Sequence, residues 1–164
     1  PKQFAAFRPR LGSASGFQSN QFREIEAVFG RRDFDAATLA ADAALAAAAS
    51  RRSVFDSVLR FLQATGLDVP PAALARDPAA PWPAGDPDIL RVLEDAYAED
   101  DGPAAEVCEA MVDIDEGIQE WRYRHVKMVE RIIGAKIGTG GSAGAEYLRT
   151  TLFRPCFPDL WQVR

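Results

Sequence analysis

Histidine is almost missing from this chain: His125 is the only one among 164 residues. A zinc centre draws three or four ligands from the protein, so a lone imidazole disfavours one at once. Cysteine is nearly as scarce. Cys108 and Cys156 stand far apart, and two such residues build neither a disulfide framework nor a zinc knuckle. Both read as small buried side chains. Cationic charge is in deficit, with 19 lysines and arginines against 24 acidic residues and a net charge of −5. That balance, with an isoelectric point near 4.9, argues against a nucleic-acid partner, which would favour a basic face. No apolar run approaches the length of a membrane span. No signal peptide is visible. The expectation is a cytoplasmic protein with no membrane partner. No stretch alternates with period two, so no sheet is expected. Internal repeats and long charge runs are absent too. The clusters Asp113-Asp115-Glu116 and Glu99-Asp100-Asp101 lack the ligand spacing of a calcium loop and read as solvated positions.

What remains is a globular composition, 48% hydrophobic and 26% charged, at one domain's length. Helical signals dominate. Phe22, Ile25, Val28 and Phe29 recur at helical spacing and stop at Gly30. Residues Asp35 to Ser50 are alanine-rich and favour helix, though alanine offers little apolar area to anchor it. Ser53 is placed to cap a helix with Val54, Phe55, Val58, Leu59 and Leu62 on one face, ending near Gly66. Five prolines between Val69 and Gly85 predict an irregular surface loop. Asp86-Pro87 reads as N-cap and first position of a helix through Tyr97. The longest helix is predicted from about Pro103 to Ile133, roughly 45 Å at 1.5 Å per residue. Ser142 is placed to cap a final helix carrying Tyr147 and Leu148.

In the long helix a hydrophobic seam runs Val107, Met111, Ile114, Ile118, Trp121, His125, Met128, Ile132, with spacings alternating between 4 and 3. His125 is therefore expected in the buried stripe. A buried imidazole ordinarily just hydrogen-bonds; the alternative is to bind a metal through one nitrogen and an acceptor through the other. Among metal sites haem suits a lone histidine best, because it asks for a single proximal imidazole. The loop Gly138-Thr139-Gly140-Gly141-Ser142 lies just downstream. It lacks the Gly-Lys-Ser/Thr ending of a phosphate cradle and the strand before it, so a flexible lid is the better reading. Arg8, beside Arg10, reads on its own as a surface arginine. Ser15 and Gly16 read as a turn in a loop before the first clear helix.

Three stretches carry a resemblance. They are Trp121 to Leu148; Phe4-Ala5-Ala6-Phe7-Arg8 with Ser13-Ala14-Ser15-Gly16-Phe17-Gln18-Ser19-Asn20-Gln21-Phe22-Arg23; and Phe157-Pro158-Asp159-Leu160-Trp161. In order and separation they resemble the tryptophan 2,3-dioxygenase family. The middle, from Arg31 to about Pro103, matches only in helical character. The resemblance implies an all-α fold. It implies His125 as the axial ligand of a b-type haem iron. It implies that Arg8 holds the carboxylate of L-tryptophan in a bidentate pair, a geometry that suits arginine and not lysine. Phe4 would then wall the indole pocket, Ser15 and Gly16 would line the distal pocket, and Thr139 would meet the substrate ammonium as the loop closes. Phenylalanine stands at Phe4 where some relatives have tyrosine, and Ala143 stands where serine is frequent. The implied reaction inserts both atoms of O2 across the indole C2–C3 bond to give N-formylkynurenine, in a homotetramer.

One departure is larger. The family places a distal histidine and pocket-closing aromatic residues on an earlier segment, and these residues contain neither. No catalytic residue is therefore assigned in this chain. The chain opens Pro1-Lys2-Gln3 without an initiator methionine, so the expectation is a single all-α domain over 1–164, N-terminally incomplete, or else an atypical member. Two rival readings stay open: an aromatic amino-acid monooxygenase on the same haem scaffold, and a non-enzymatic helical interaction module in which His125 is merely buried.

Overall fold

The computed structural model describes residues 14–30, 34–78, 80, 84–98, 101–133 and 152–164, with the backbone alone at 14–21 and at Ile133. The described residues form eight helices and no strand: α1 (Ala14–Phe29), α2 (Ala36–Ala41), α3 (Ala43–Ala49), α4 (Val54–Ala64), α5 (Pro71–Ala75), α6 (Pro87–Ala96), α7 (Pro103–Ile133) and α8 (Pro158–Val163). This is the expected all-α class, and α7 has the expected limits. Contacts group the chain into two compact units. One joins Pro1–Phe22 with Glu116–Arg154; the other joins Arg23–Asp115 with Pro155–Arg164.

The second unit holds most of the described core. Capping fixes where its helices begin. Ser53 accepts from the Asp56 N–H at 3.0 Å, while the Asp56 carboxylate accepts from the Ser53 N–H at 2.8 Å. This reciprocal pair satisfies two backbone donors at the N-terminus of α4. The helix then buries Phe55, Val58, Leu59 and Leu62, each contributing about 1.5–3 kcal/mol of apolar transfer. In α6, Asp86 caps the first turn, Pro87 stands at its start, and Ile89, Val92, Leu93 and Ala96 are buried. α6 packs against α8, and the Gly85 N–H donates to Asp159 of α8 at 2.6 Å. Phe157 joins the layers: its ring meets Phe29 edge-on at 5.4 Å and stacks with Phe55 at 6.4 Å. Gly30 ends α1 at φ +123°, a conformation that L side chains rarely adopt.

Two expectations change here. The alanine-rich stretch is not one helix. It breaks at Asp42, whose backbone is extended and whose side chain accepts from the N–H groups of Ala44 and Leu45. A short carboxylate that can cap a new helix outcompetes one more turn of alanine. The proline-rich stretch is not wholly irregular either, since Pro71 opens α5. A proline at the first position has its φ preset and loses no hydrogen bond there. Arg60 anchors that helix by donating to the Leu74 carbonyl at 2.6 Å, and Arg76 donates to Asp56 at 2.8 Å. Cys108 and Cys156 are both buried, as expected.

The seam of α7 is the main correction. Its buried residues include Ala105, Cys108, Met111, Val112, Asp115, Arg122 and Val126. The predicted seam lies mostly to one side: Ile114, Trp121 and Met128 are 44%, 46% and 47% exposed, and His125 is half-buried at the boundary. Apolarity misled because two of the buried positions are ionic and well partnered. Asp115 is fully buried and accepts from the Cys156 N–H at 2.9 Å, the Phe157 N–H at 3.3 Å and the Trp161 Nε1–H at 2.9 Å. Arg122 donates to the Arg154 carbonyl at 2.7 Å and lies 3.5 Å over the centre of the Phe22 ring. A carboxylate with three donors and an arginine with a carbonyl and an aromatic face tolerate burial that unpaired charges do not.

Candidate functional site

The candidate site centres on His125, in the last third of α7. Three features define its chemistry. The Nε2 atom is buried and has no hydrogen-bond partner among the described residues. Burial pushes the pKa below the usual histidine value, because desolvation disfavours the cation. The ring stacks on Trp121, one turn earlier, with centroids 6.0 Å apart and planes inclined by 20°. A neutral imidazole with a buried, uncommitted edge nitrogen is what a metal ligand requires. Among the described residues no group of three or more histidine, cysteine, aspartate and glutamate side chains converges on a common point. The donor set around His125 therefore fits a metal that takes one ligand from this chain and the remainder from its own ring, as haem does.

Beside His125 along the same helix, Tyr123, Arg124, Lys127, Met128, Arg131 and Ile132 line an open pocket of about 520 Å³. Its cations are largely offset by neighbours. Arg124 pairs with Glu120 at 2.6 Å, and Lys127 pairs with Glu130 at 3.0 Å while lying 5.6 Å from the Tyr123 ring centre. These are exposed pairs spaced three or four residues apart, worth a few tenths of a kcal/mol each. A second cavity, about 40 Å³, lies between Gly30, Phe55, Ala84 and residues 156–159. That is room for little more than a water.

The remaining sequence-derived site residues fare unevenly. Phe4, Arg8 and Thr139, with the whole loop Gly138–Gly144, lie outside the described residues, as do Tyr147 and Leu148 of the expected final helix. Ser15 and Gly16 are corrected: they sit in the first turn of α1 and not in a loop. A helix costs little to extend by one turn once nucleated, and the weak propensities of serine and glycine, about 0.5–1 kcal/mol each, do not stop it. Asp115 was missed. Read as solvated with Asp113 and Glu116, it alone of the three is buried. The signal was its register, seven residues after Cys108 and seven before Arg122, two whole helical repeats on one face. Trp161, in the ending that carries part of the resemblance, is one of its donors.

Comparison with known proteins adds a second line of support. The family model described as tryptophan 2,3-dioxygenase matches residues 92–164, which include His125, Asp115 and the Phe157–Trp161 ending. Over its whole length the chain is similar to three curated proteins named tryptophan 2,3-dioxygenase. It is 59% identical to that of Anaeromyxobacter sp. (strain K), 56% to that of Anaeromyxobacter dehalogenans and 47% to that of Herpetosiphon aurantiacus. It spans 63%, 63% and 64% of their respective lengths.

Proposed function

We propose that this chain, similar over its whole length to curated tryptophan 2,3-dioxygenases, serves the haem-dependent cleavage of the indole C2–C3 bond of L-tryptophan by O2, giving N-formylkynurenine. The observation that carries this reading is the His125 Nε2, buried and without a hydrogen-bond partner among the described residues. His125 would hold the iron of a haem b through that nitrogen. Haem, when bound, supplies the iron that activates O2. The chain's own residues bind and orient the amino acid. The Arg8 guanidinium pairs with the carboxylate, the Thr139 hydroxyl meets the ammonium, and Phe4 walls the indole. Ser15 and Gly16, at the start of α1, line the distal pocket. Holding the head group at both ends favours free L-tryptophan over indole. Within the same reading the chain is a single domain of a cytoplasmic homotetramer. No described helix is long and apolar enough to cross a membrane.

Titration with haem, followed by Soret absorbance, tests the ligand. His125→Ala should abolish stable uptake, because no other imidazole can substitute. Full haem content with an unchanged ferrous spectrum in that variant would remove His125 from the iron. Product mass tests the reaction, since a gain of two oxygen atoms supports dioxygenation and a gain of one transfers the chain to the monooxygenases.

A further inference from the structure

The His125 ring needs something to fix its plane. Rotation about the Cβ–ring bond of histidine is broad and roughly two-fold, so packing or hydrogen bonding must choose the angle. At the Nε2 edge no hydrogen bond from the described residues does so. Among the described residues an aromatic face lies against the ring: that of Trp121, four residues earlier and thus one turn away on the same helix face, with its plane inclined by 20° to the imidazole's. Trp121 is also an odd residue for its position. At 46% exposure a large indole forfeits much of the apolar transfer that would justify its size. Holding a neighbouring ring accounts for it better than core packing does.

We propose that Trp121 is a positioning residue for the metal ligand: its indole face sets the plane of the His125 imidazole and so the direction in which Nε2 points. The inference rests on the haem reading above. An imidazole preset in this way loses less rotational freedom when it binds, and its ring holds one orientation toward the iron afterwards. Groups that orient a ligating histidine affect both metal affinity and the electronic character of the ligand. The effect of Trp121 passes through His125.

The test uses the full chain as Trp121→Leu and Trp121→Phe beside the unaltered protein, with helix content checked by circular dichroism. Leucine removes the ring; phenylalanine restores a stacking face. An aromatic pair of this kind contributes about 0.5–1.5 kcal/mol beyond area. We therefore expect the haem dissociation constant of Trp121→Leu to rise about 2- to 12-fold. Its iron–imidazole stretching band in the ferrous resonance Raman spectrum should broaden and shift, and Trp121→Phe should recover most of both. A third readout needs no haem. With one histidine, nitrogen-15 labelling gives a single imidazole spin system, whose ring protons should lose the upfield displacement of the indole ring current in Trp121→Leu. If the unaltered chain takes up haem and Trp121→Leu matches it in affinity and stretching band, the positioning role is overturned while the haem reading stands. If the unaltered chain takes up no haem, both fall together.

Discussion

Removing the buried carboxylate of Asp115 should cost this protein more than any other single charge change among its described residues. Asp115→Asn keeps the volume and one acceptor oxygen. It exchanges the other oxygen for an NH2 group in a place that now only accepts: Cys156 N–H donates to Oδ1 at 2.9 Å, and Phe157 N–H and Trp161 Nε1–H donate to Oδ2 at 3.3 and 2.9 Å. Each hydrogen bond to a charged group is worth about 1.5–3 kcal/mol, and a buried donor left unsatisfied costs about 1–3 kcal/mol. The three share one acceptor, so their losses do not add in full. We expect about 2–4 kcal/mol for Asp115→Asn and about 3–5 kcal/mol for Asp115→Ala. For a chain of this size that is roughly 2–4 °C of melting temperature per kcal/mol. Urea unfolding read by far-ultraviolet circular dichroism gives the free energy; tryptophan fluorescence reports Trp161 together with Trp82 and Trp121. The control is Asp113→Asn, two residues away and exposed, which should stay within about 0.5 kcal/mol. If the two asparagine variants unfold at the same midpoint, the carboxylate does not hold the 155–161 segment and the reasoning is wrong.

Two further predictions concern the second unit. Gly30→Ala should cost about 1–3 kcal/mol, because φ is +123° and a Cβ would lie 3.0 Å from that of Phe55 and 3.1 Å from the Ser53 oxygen; Gly66→Ala, at φ +100° with nothing within 4 Å, should lose only the backbone part, and equal losses by chemical denaturation would show the contact to be irrelevant. The acid limb of stability should carry opposing signs from two carboxylates. At Asp56 burial raises the pKa, but hydrogen bonds from Ser53 and the charge of Arg76 outweigh it and leave the folded value below the ordinary 3.8. Its contribution is thus present above that value and lost as pH falls through the folded one. At Asp159 burial prevails and raises the folded value, so its contribution is present below 3.8 and lost as pH rises through the folded one. Asp56→Asn should flatten the loss of stability below about pH 4, and Asp159→Asn should not; an unchanged acid limb in Asp56→Asn would count against the capping pair.

Much of the helical plan was legible because its punctuation is local. Ser53, Gly30, Asp86-Pro87 and the span of α7 each rest on capping, φ preference or periodicity within a few residues. The breaks at Asp42 and Pro71 were harder, since the same residue types also mark loops, and only the geometry shows that they start helices. The face of α7 could not be read from apolarity at all. Asp115 and Arg122 are buried because their partners, Trp161, residues 156 and 157, Arg154 and Phe22, come from elsewhere in the chain. A helical wheel contains none of those contacts. His125 was identified by scarcity and motif, and its chemistry by its surroundings: the free edge nitrogen and the Trp121 face are visible only in three dimensions.

The Arg122 anchor does for α7 what a key does for a shaft. Three residues before His125, its guanidinium is held by the Arg154 carbonyl at 2.7 Å and by the Phe22 face at 3.5 Å. Slipping the helix by one residue would turn it by about 100° and withdraw the arginine from both. An ordinary oily stripe would resist such a slip only weakly, because one leucine replaces another at little cost. A guanidinium that fits one carbonyl and one ring has no second register. The bearing on which the imidazole leaves the helix is therefore indexed by an ion rather than by hydrophobic area. Substitutions on α7 away from Arg122 and Trp121 can loosen its packing without changing where His125 points.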